Sequence, residues 1–174
     1  AYLNFSLIAV YGIAYGLFKS SSLFSSFIIQ RTLTSFSQLS ENRKLLKISL
    51  LDHIKIIAAT CIIVSAGFYV FSDLLIHFIY TDTYMQSASI LRILAFGIIP
   101  MGLNNLTGTF INSQGFYMVN MRITIIAFLF NVIFNIIFIP IYSIYASAYI
   151  SLFTEIIILI LETIFIVKYF AKKQ

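Results

Sequence analysis

The chain is organised as long apolar runs separated by short polar breaks. From Tyr2 to Gln30 it carries a single charged side chain, Lys19, and four more apolar runs follow at about 56–80, 85–111, 118–139 and 144–169. Each reaches the roughly 20 residues that cross the hydrocarbon core of a bilayer as an α-helix. A membrane β-barrel would instead show segments of about ten residues alternating apolar with polar, and these runs are apolar at nearly every position. The pattern therefore predicts an all-α polytopic membrane protein with about five transmembrane helices.

Breaks and boundaries follow from local chemistry. Between the first two runs lies a Ser/Thr-rich, basic segment, TLTSFSQLSENRKLLKISLLDHIK. Within it NRKLLKISLLDHIK spaces basic and apolar residues at helical period, which predicts an interfacial amphipathic turn leading into the second span. Pro100 falls inside the third run and is expected to kink it, because the ring removes a backbone hydrogen bond. Pro140 is expected to close the fourth, and the short IPIYSIYA link makes the last two spans an antiparallel pair. Tyr80, Tyr84, Tyr142, Tyr145 and Tyr169 fall at span ends, as interfacial anchoring predicts.

Composition removes the soluble alternative. The chain is 60% hydrophobic and 10% charged with a mean hydropathy of +0.99, against roughly 45–50% and about 25% for soluble domains. It opens within an apolar run and lacks the basic n-region and cleavage site of a signal peptide, so it reads as part of a longer protein. Charge adds an orientation. Arg31, Arg43, Lys44, Lys47 and Lys55 flank the first loop, Arg122 the third, and Lys168, Lys172 and Lys173 the C-terminus, whereas the second and fourth loops hold no Lys or Arg. This bias places the basic loops in the cytoplasm, the N-terminus outside and the C-terminus inside.

Helical projection at about 100° per residue sorts the polar side chains into faces. On the first span Asn4, Tyr11, Tyr15, Lys19, Ser22, Ser26 and Gln30 share one arc. Gly12, Gly16 and Ser20 form an adjacent small-residue row that admits a close helix neighbour. The fourth span gathers Asn120, Thr124, Asn131 and Asn135, and the fifth Ser147, Ser151, Glu155 and Glu162. The second span has no such face. A charge at mid-membrane costs from about 2.5 to more than 10 kcal/mol, so these groups must face a bundle interior or a wet cavity. Lys19 is about 18 Å of helix from Arg31 and cannot snorkel to that end. Two readings stay open for it: a structural ion pair with Glu155 or Glu162, or a cation lining an open cavity. Tyr15, Lys19, Ser22, Ser26, Arg92, Asn131, Asn135, Glu155 and Glu162 are the candidate pathway residues.

Catalytic and metal constellations are not seen. There is no HExxH, no GxSxG, no phosphate-cradling Gly-rich loop and no Cys/His cluster. Cys61 is a lone mid-span packing residue, and His53 and His77 sit at span ends as solvated groups. The basic loops are accounted for by topology, so no nucleic acid partner, enzyme activity, metal or cofactor is expected.

The order of features resembles the C-terminal half of the polysaccharide-lipid flippases of the multidrug/oligosaccharidyl-lipid/polysaccharide exporter superfamily. The resemblance is carried by Ala88 with Leu91-Arg92-Ile93-Leu94, Pro100, Asn104-Asn105, Gln114-Gly115, Arg122, Asn131 with Asn135, Ile139-Pro140, and Ala146 with Ala148. It covers most of the chain after about residue 25. Two positions depart from it: Gln30-Arg31 stands where many relatives have Pro-Arg, and Tyr142-Ser143-Ile144-Tyr145-Ala146-Ser147 replaces a Tyr-Gly-x-x-Gly-Ala turn, which makes that turn less flexible. The resemblance implies that residues 1–174 form the C-terminal transmembrane lobe of a two-lobe transporter, with the N-terminal lobe missing. It further implies alternating access around a central cavity and a lipid-pyrophosphate-linked oligosaccharide substrate at the cytoplasmic membrane. Lys19 would be a head-group contact and Arg92 a second. Two alternatives stand beside this: a drug or metabolite exporter coupled to H⁺ or Na⁺ through Glu155 or Glu162, and a non-transporting membrane scaffold.

Overall fold

A computed structural model describes residues 5–30, 32–80 and 82–171; Asn4, Arg31, Lys172 and Lys173 lie outside them. All regular elements among the described residues are helical: α1 (Phe5–Ser20), α2 (Ser22–Ile29), α3 (Thr32–Gln38), α4 (Arg43–Val70), α5 (Ser72–Ile79), a 3₁₀ turn (Asp82–Tyr84), α6 (Gln86–Ala95), α7 (Ile98–Ser113) and α8 (Tyr117–Ala171). Among the described residues three helices are long and apolar enough to cross a membrane, Phe5–Ile29 counted as one, and four if the bent pair α6–α7 is a single span. α8 is itself interrupted at Ser143, so it forms two arms, 117–142 and 144–171. Large apolar side chains such as Ile63, Val70, Phe128 and Val167 are more than half exposed. In water such a surface would drive aggregation, whereas lipid tails satisfy it.

α7 is the centre of the bundle. It packs against α2, α3, α4 and α8 and buries residues around much of its circumference, from Ile98 and Met101 to Phe110 and Ile111. Its small residues make this possible: a Cβ on Gly102 would collide with the Cys61 sulfur of α4, and one on Gly108 would come within 3.2 Å of Glu162 Oε1. Two buried hydroxyls fasten α6 to its neighbours, Ser87 Oγ donating to the Val10 carbonyl at 2.8 Å and Ser65 Oγ to the Ala95 carbonyl at 2.7 Å. At the basic end, Gln114 Nε2 donates to the Phe36 carbonyl at 3.2 Å and Tyr169 Oη to Gln114 Oε1 at 3.0 Å.

Several local expectations are corrected. The basic segment expected as an amphipathic turn leading into the second span is helical and does lead into it, but as one unbroken helix that begins earlier than expected. α3 precedes it, and residues from Arg43 onward are the first turns of α4, capped by Asn42 Oδ1 accepting from the Leu45 N–H at 3.1 Å. Leu46 and Leu50 are buried, so tertiary contacts extend the helix well before residue 56. The kink expected of Pro100 is present: the third span bends by 46° between α6 and α7, one turn before the proline, where its ring removes the hydrogen bond to the Phe96 carbonyl and crowds that carbonyl. Pro140, by contrast, does not end the fourth helix; the chain stays helical to Tyr142 and reverses at Ser143.

Ser143 performs that reversal at φ 56°, ψ −146°. A backbone there suits glycine, and a Cβ costs of order 1–3 kcal/mol, partly offset by the extra freedom glycine gives the unfolded chain, about 0.4–1 kcal/mol. Ser143→Gly should therefore stabilise the protein by about 1 kcal/mol. A lower melting temperature of the glycine variant in detergent, followed by circular dichroism, would contradict this account of the turn.

Candidate functional site

The site begins at a run of serines. Ser20 Oγ and Ser21 Oγ donate back to the carbonyls of Leu17 and Phe18 at 2.7 and 2.6 Å, a pattern that loosens a helix, and α1 passes into α2 at this point. Lys19 precedes the break. Its ammonium donates to Glu155 Oε1 at 3.1 Å and reaches the Met101 sulfur at 3.8 Å. The rings of Tyr15 and Phe18 flank it at 5.6 and 5.4 Å. The two ends of the pair differ in surroundings: the lysine side chain is 44% exposed and the glutamate 12%.

Glu155 is fixed from the other side by α7. Asn104 Nδ2 donates both to Glu155 Oε2 and to its backbone carbonyl, each at 2.9 Å. Two turns further along α8, the buried carboxylate of Glu162 accepts a short hydrogen bond from Thr107 Oγ1 of α7. Thus two carboxylates of one helix face two polar side chains of another. Asn104 Oδ1 is buried with no hydrogen-bond partner among the described residues, a costly state that marks a polar site with unused capacity.

Around this junction lie three adjoining hollows. The first, about 440 Å³, lies among Tyr11, Tyr15, Lys19, Asn131, Asn135 and Glu155. The second, about 380 Å³, shares Lys19, Glu155 and Ile158 with it and adds Ser22, Asn104 and Glu162. The third, about 460 Å³, shares Asn105, Thr109 and Asn112 with the second and reaches Ser26 and Gln30. Together they form one polar groove along the α1–α2 face, with the Lys19–Glu155 pair at its first junction. Side chains on its walls hold one another: Tyr11 Oη and Ser151 Oγ are 3.0 Å apart, and Asn131 Nδ2 donates to Thr154 Oγ1 at 3.0 Å. Asn135 Nδ2 in turn donates to Asn131 Oδ1 at 3.0 Å.

The candidate pathway residues line these hollows, with one exception. Arg92 stands apart, ion-paired with Asp73 of α5 and partly exposed. Asn104, Asn105, Thr107 and Asn112 were not selected by their faces. The same projection would have gathered Asn104, Gly108 and Asn112 at i, i+4 and i+8 on the third span. Of the two readings open for Lys19, the ion pair is formed, with Glu155, and the lysine side chain is also half exposed in the groove. The small-residue row Gly12, Gly16 and Ser20 faces open space; at both glycines a Cβ would meet nothing within 4 Å.

Apolar helices around a polar, charge-bearing groove mark a multi-pass membrane protein. The sequence model of the MatE family matches residues 6–137, about three-quarters of the chain, and the chain belongs to that family. It is thereby a membrane transporter of the exporter class. No curated protein and no solved structure matched it.

Proposed function

We propose that this chain is the C-terminal lobe of a flippase that carries a lipid-linked oligosaccharide across the cytoplasmic membrane by alternating access. The observation that supports it most is the half-exposed ammonium of Lys19 at the junction of the groove's hollows. A cation presented to a wet cavity suits a pyrophosphate head group, while the Asn and Ser side chains of the walls offer donors and acceptors to sugar hydroxyls. The lipid tail stays in the bilayer as the head crosses. The open face of the groove then looks toward a second lobe of the same protein, with the basic loops cytoplasmic.

The test is surface-polysaccharide export in cells expressing the full-length protein with Lys19→Ala. Export should fall at least about tenfold, the loss of one charge-assisted contact, and Lys19→Arg should retain most of it. Unchanged export and unchanged binding of the lipid-linked substrate by Lys19→Ala would eliminate the head-group role.

A second reading is favoured by one specific feature. Glu162 is buried against Thr107, and Asn104 Oδ1 nearby lacks a partner; such a group could take up a proton or cation and drive export of a drug or metabolite. In that case Glu155→Gln with Glu162→Gln abolishes transport and Lys19→Ala is tolerated.

A further inference from the structure

Away from the polar groove, another hollow of about 410 Å³ runs between α4 and the 144–171 arm of α8. Its floor includes Leu50 and Ile166, both buried, and its rims Leu51 and Val167, both exposed. Lys47, Leu50, Leu51 and Ile54 are spaced i, i+3, i+4 and i+7, so they share one face of α4. Lys47 stands at the end of that face nearest the basic loop, and the apolar side chains extend about 10 Å from it along the helix. This is about two-thirds of one leaflet of a roughly 30 Å hydrocarbon core.

The charge at the mouth of this groove has no counterpart among the described residues. No acidic side chain lines it, and no ion pair of Lys47 or of its neighbour Lys44 occurs among the described residues. Lys55, by contrast, is satisfied by Asp52 at 3.1 Å, and Arg43 is engaged over the Tyr169 ring at 4.9 Å. An apolar groove with, at one end, an ammonium that has no ion-pair partner among the described residues has the polarity of a single lipid: tail along the groove, anionic head on the cation.

We propose that the α4–α8 groove is a binding site for one anionic phospholipid, its acyl chain lying over Leu50, Ile54 and Ile166 and its phosphate on Lys47. Such a lipid fills the gap between two helices that otherwise touch little along this face, and it ties the N-terminal end of α4 to the C-terminal arm of α8. The substrate groove is not involved, so the site holds whatever solute the protein exports.

Native mass spectrometry of the intact protein in mild detergent, offered phosphatidylglycerol or phosphatidylcholine at equal concentration, tests this. The native protein should retain phosphatidylglycerol at least about fivefold better, the effect of one lysine near an anionic head group. Lys47→Ala should erase that preference, Lys47→Arg should keep it, and Leu51→Trp, which fills the groove, should lower retention of the lipid whatever the head group. Lys55→Ala should change nothing. Equal retention of the two lipids by the native protein, or a loss with Lys55→Ala as large as with Lys47→Ala, would overturn the proposal and leave only general attraction to a charged surface.

Discussion

Gly102→Ala should be among the most destabilising single-methyl additions in this chain. The new Cβ would be built into the Cys61 sulfur, with Cys61 Cβ and Ile57 Cγ2 each 3.6 Å away. Cys61 and Ile57 are buried on α4, and a cysteine in a helix has few rotamers to which it can retreat. Overpacking of this kind costs about 3 kcal/mol at the upper end of its usual range. The better helix propensity of alanine returns about 1 kcal/mol, so a net loss of about 2 kcal/mol is expected. The chain has no tryptophan, so melting in detergent is best followed by the helical circular dichroism signal. Cys61→Ala removes the colliding sulfur and leaves the two Cβ atoms at ordinary contact distance. The double variant should therefore recover most of the loss, a coupling of about 2 kcal/mol. If the double variant is less stable than the sum of the single changes allows, the close approach of α4 and α7 at this point is wrong.

Glu155→Gln should separate the two transport readings by moving them in opposite directions. The carboxylate holds Lys19 at 3.1 Å and receives Asn104 Nδ2 at 2.9 Å. Glutamine keeps the shape and one acceptor, so the fold should survive; Glu155→Ala would leave both partners exposed to loss, at about 2 kcal/mol for hydrogen bonds involving a charged group. With the carboxylate neutralised, Lys19 has no competing anion and becomes more available to a pyrophosphate. Binding of a lipid-linked pyrophosphate should tighten by up to about tenfold, the equivalent of about 1.4 kcal/mol released from the internal pair. An exporter that uses Glu155 to carry protons or Na⁺ would instead lose transport and show no gain in binding an anion. Measuring affinity for a soluble pyrophosphate-linked glycan beside export decides between them, because weaker binding in the glutamine variant contradicts the head-group assignment of Lys19.

How much of this was readable beforehand depends on the range of the interaction. Hydropathy and helical period act over one or two turns, so the membrane class, the helical content and the polar arc through Tyr15, Lys19, Ser22 and Ser26 follow from the sequence. The face of α8 that carries Glu155 and Glu162 follows in the same way. The bend one turn before Pro100 follows as well, because the ring removes the hydrogen bond to the Phe96 carbonyl. Pro140 shows where this local reasoning fails: a proline reads as the end of an apolar run, yet the helix runs past it to Tyr142 and turns only at Ser143.

The sequence by itself determined that Lys19 sits on a polar stripe and must meet either water or a carboxylate, because an apolar helix leaves it no other stable arrangement. Only the tertiary structure decided the rest. Lys19 and Glu155 are 136 positions apart, and the choice of Glu155 over Glu162 is set by the rotation and tilt of α1 against α8. The same packing puts Asn104 on Glu155 and Thr107 on Glu162, and it sets Arg92 aside with Asp73. A helix fixes which residues share a face; how that face meets another helix is fixed by the side chains wedged between them, such as Cys61 against Gly102.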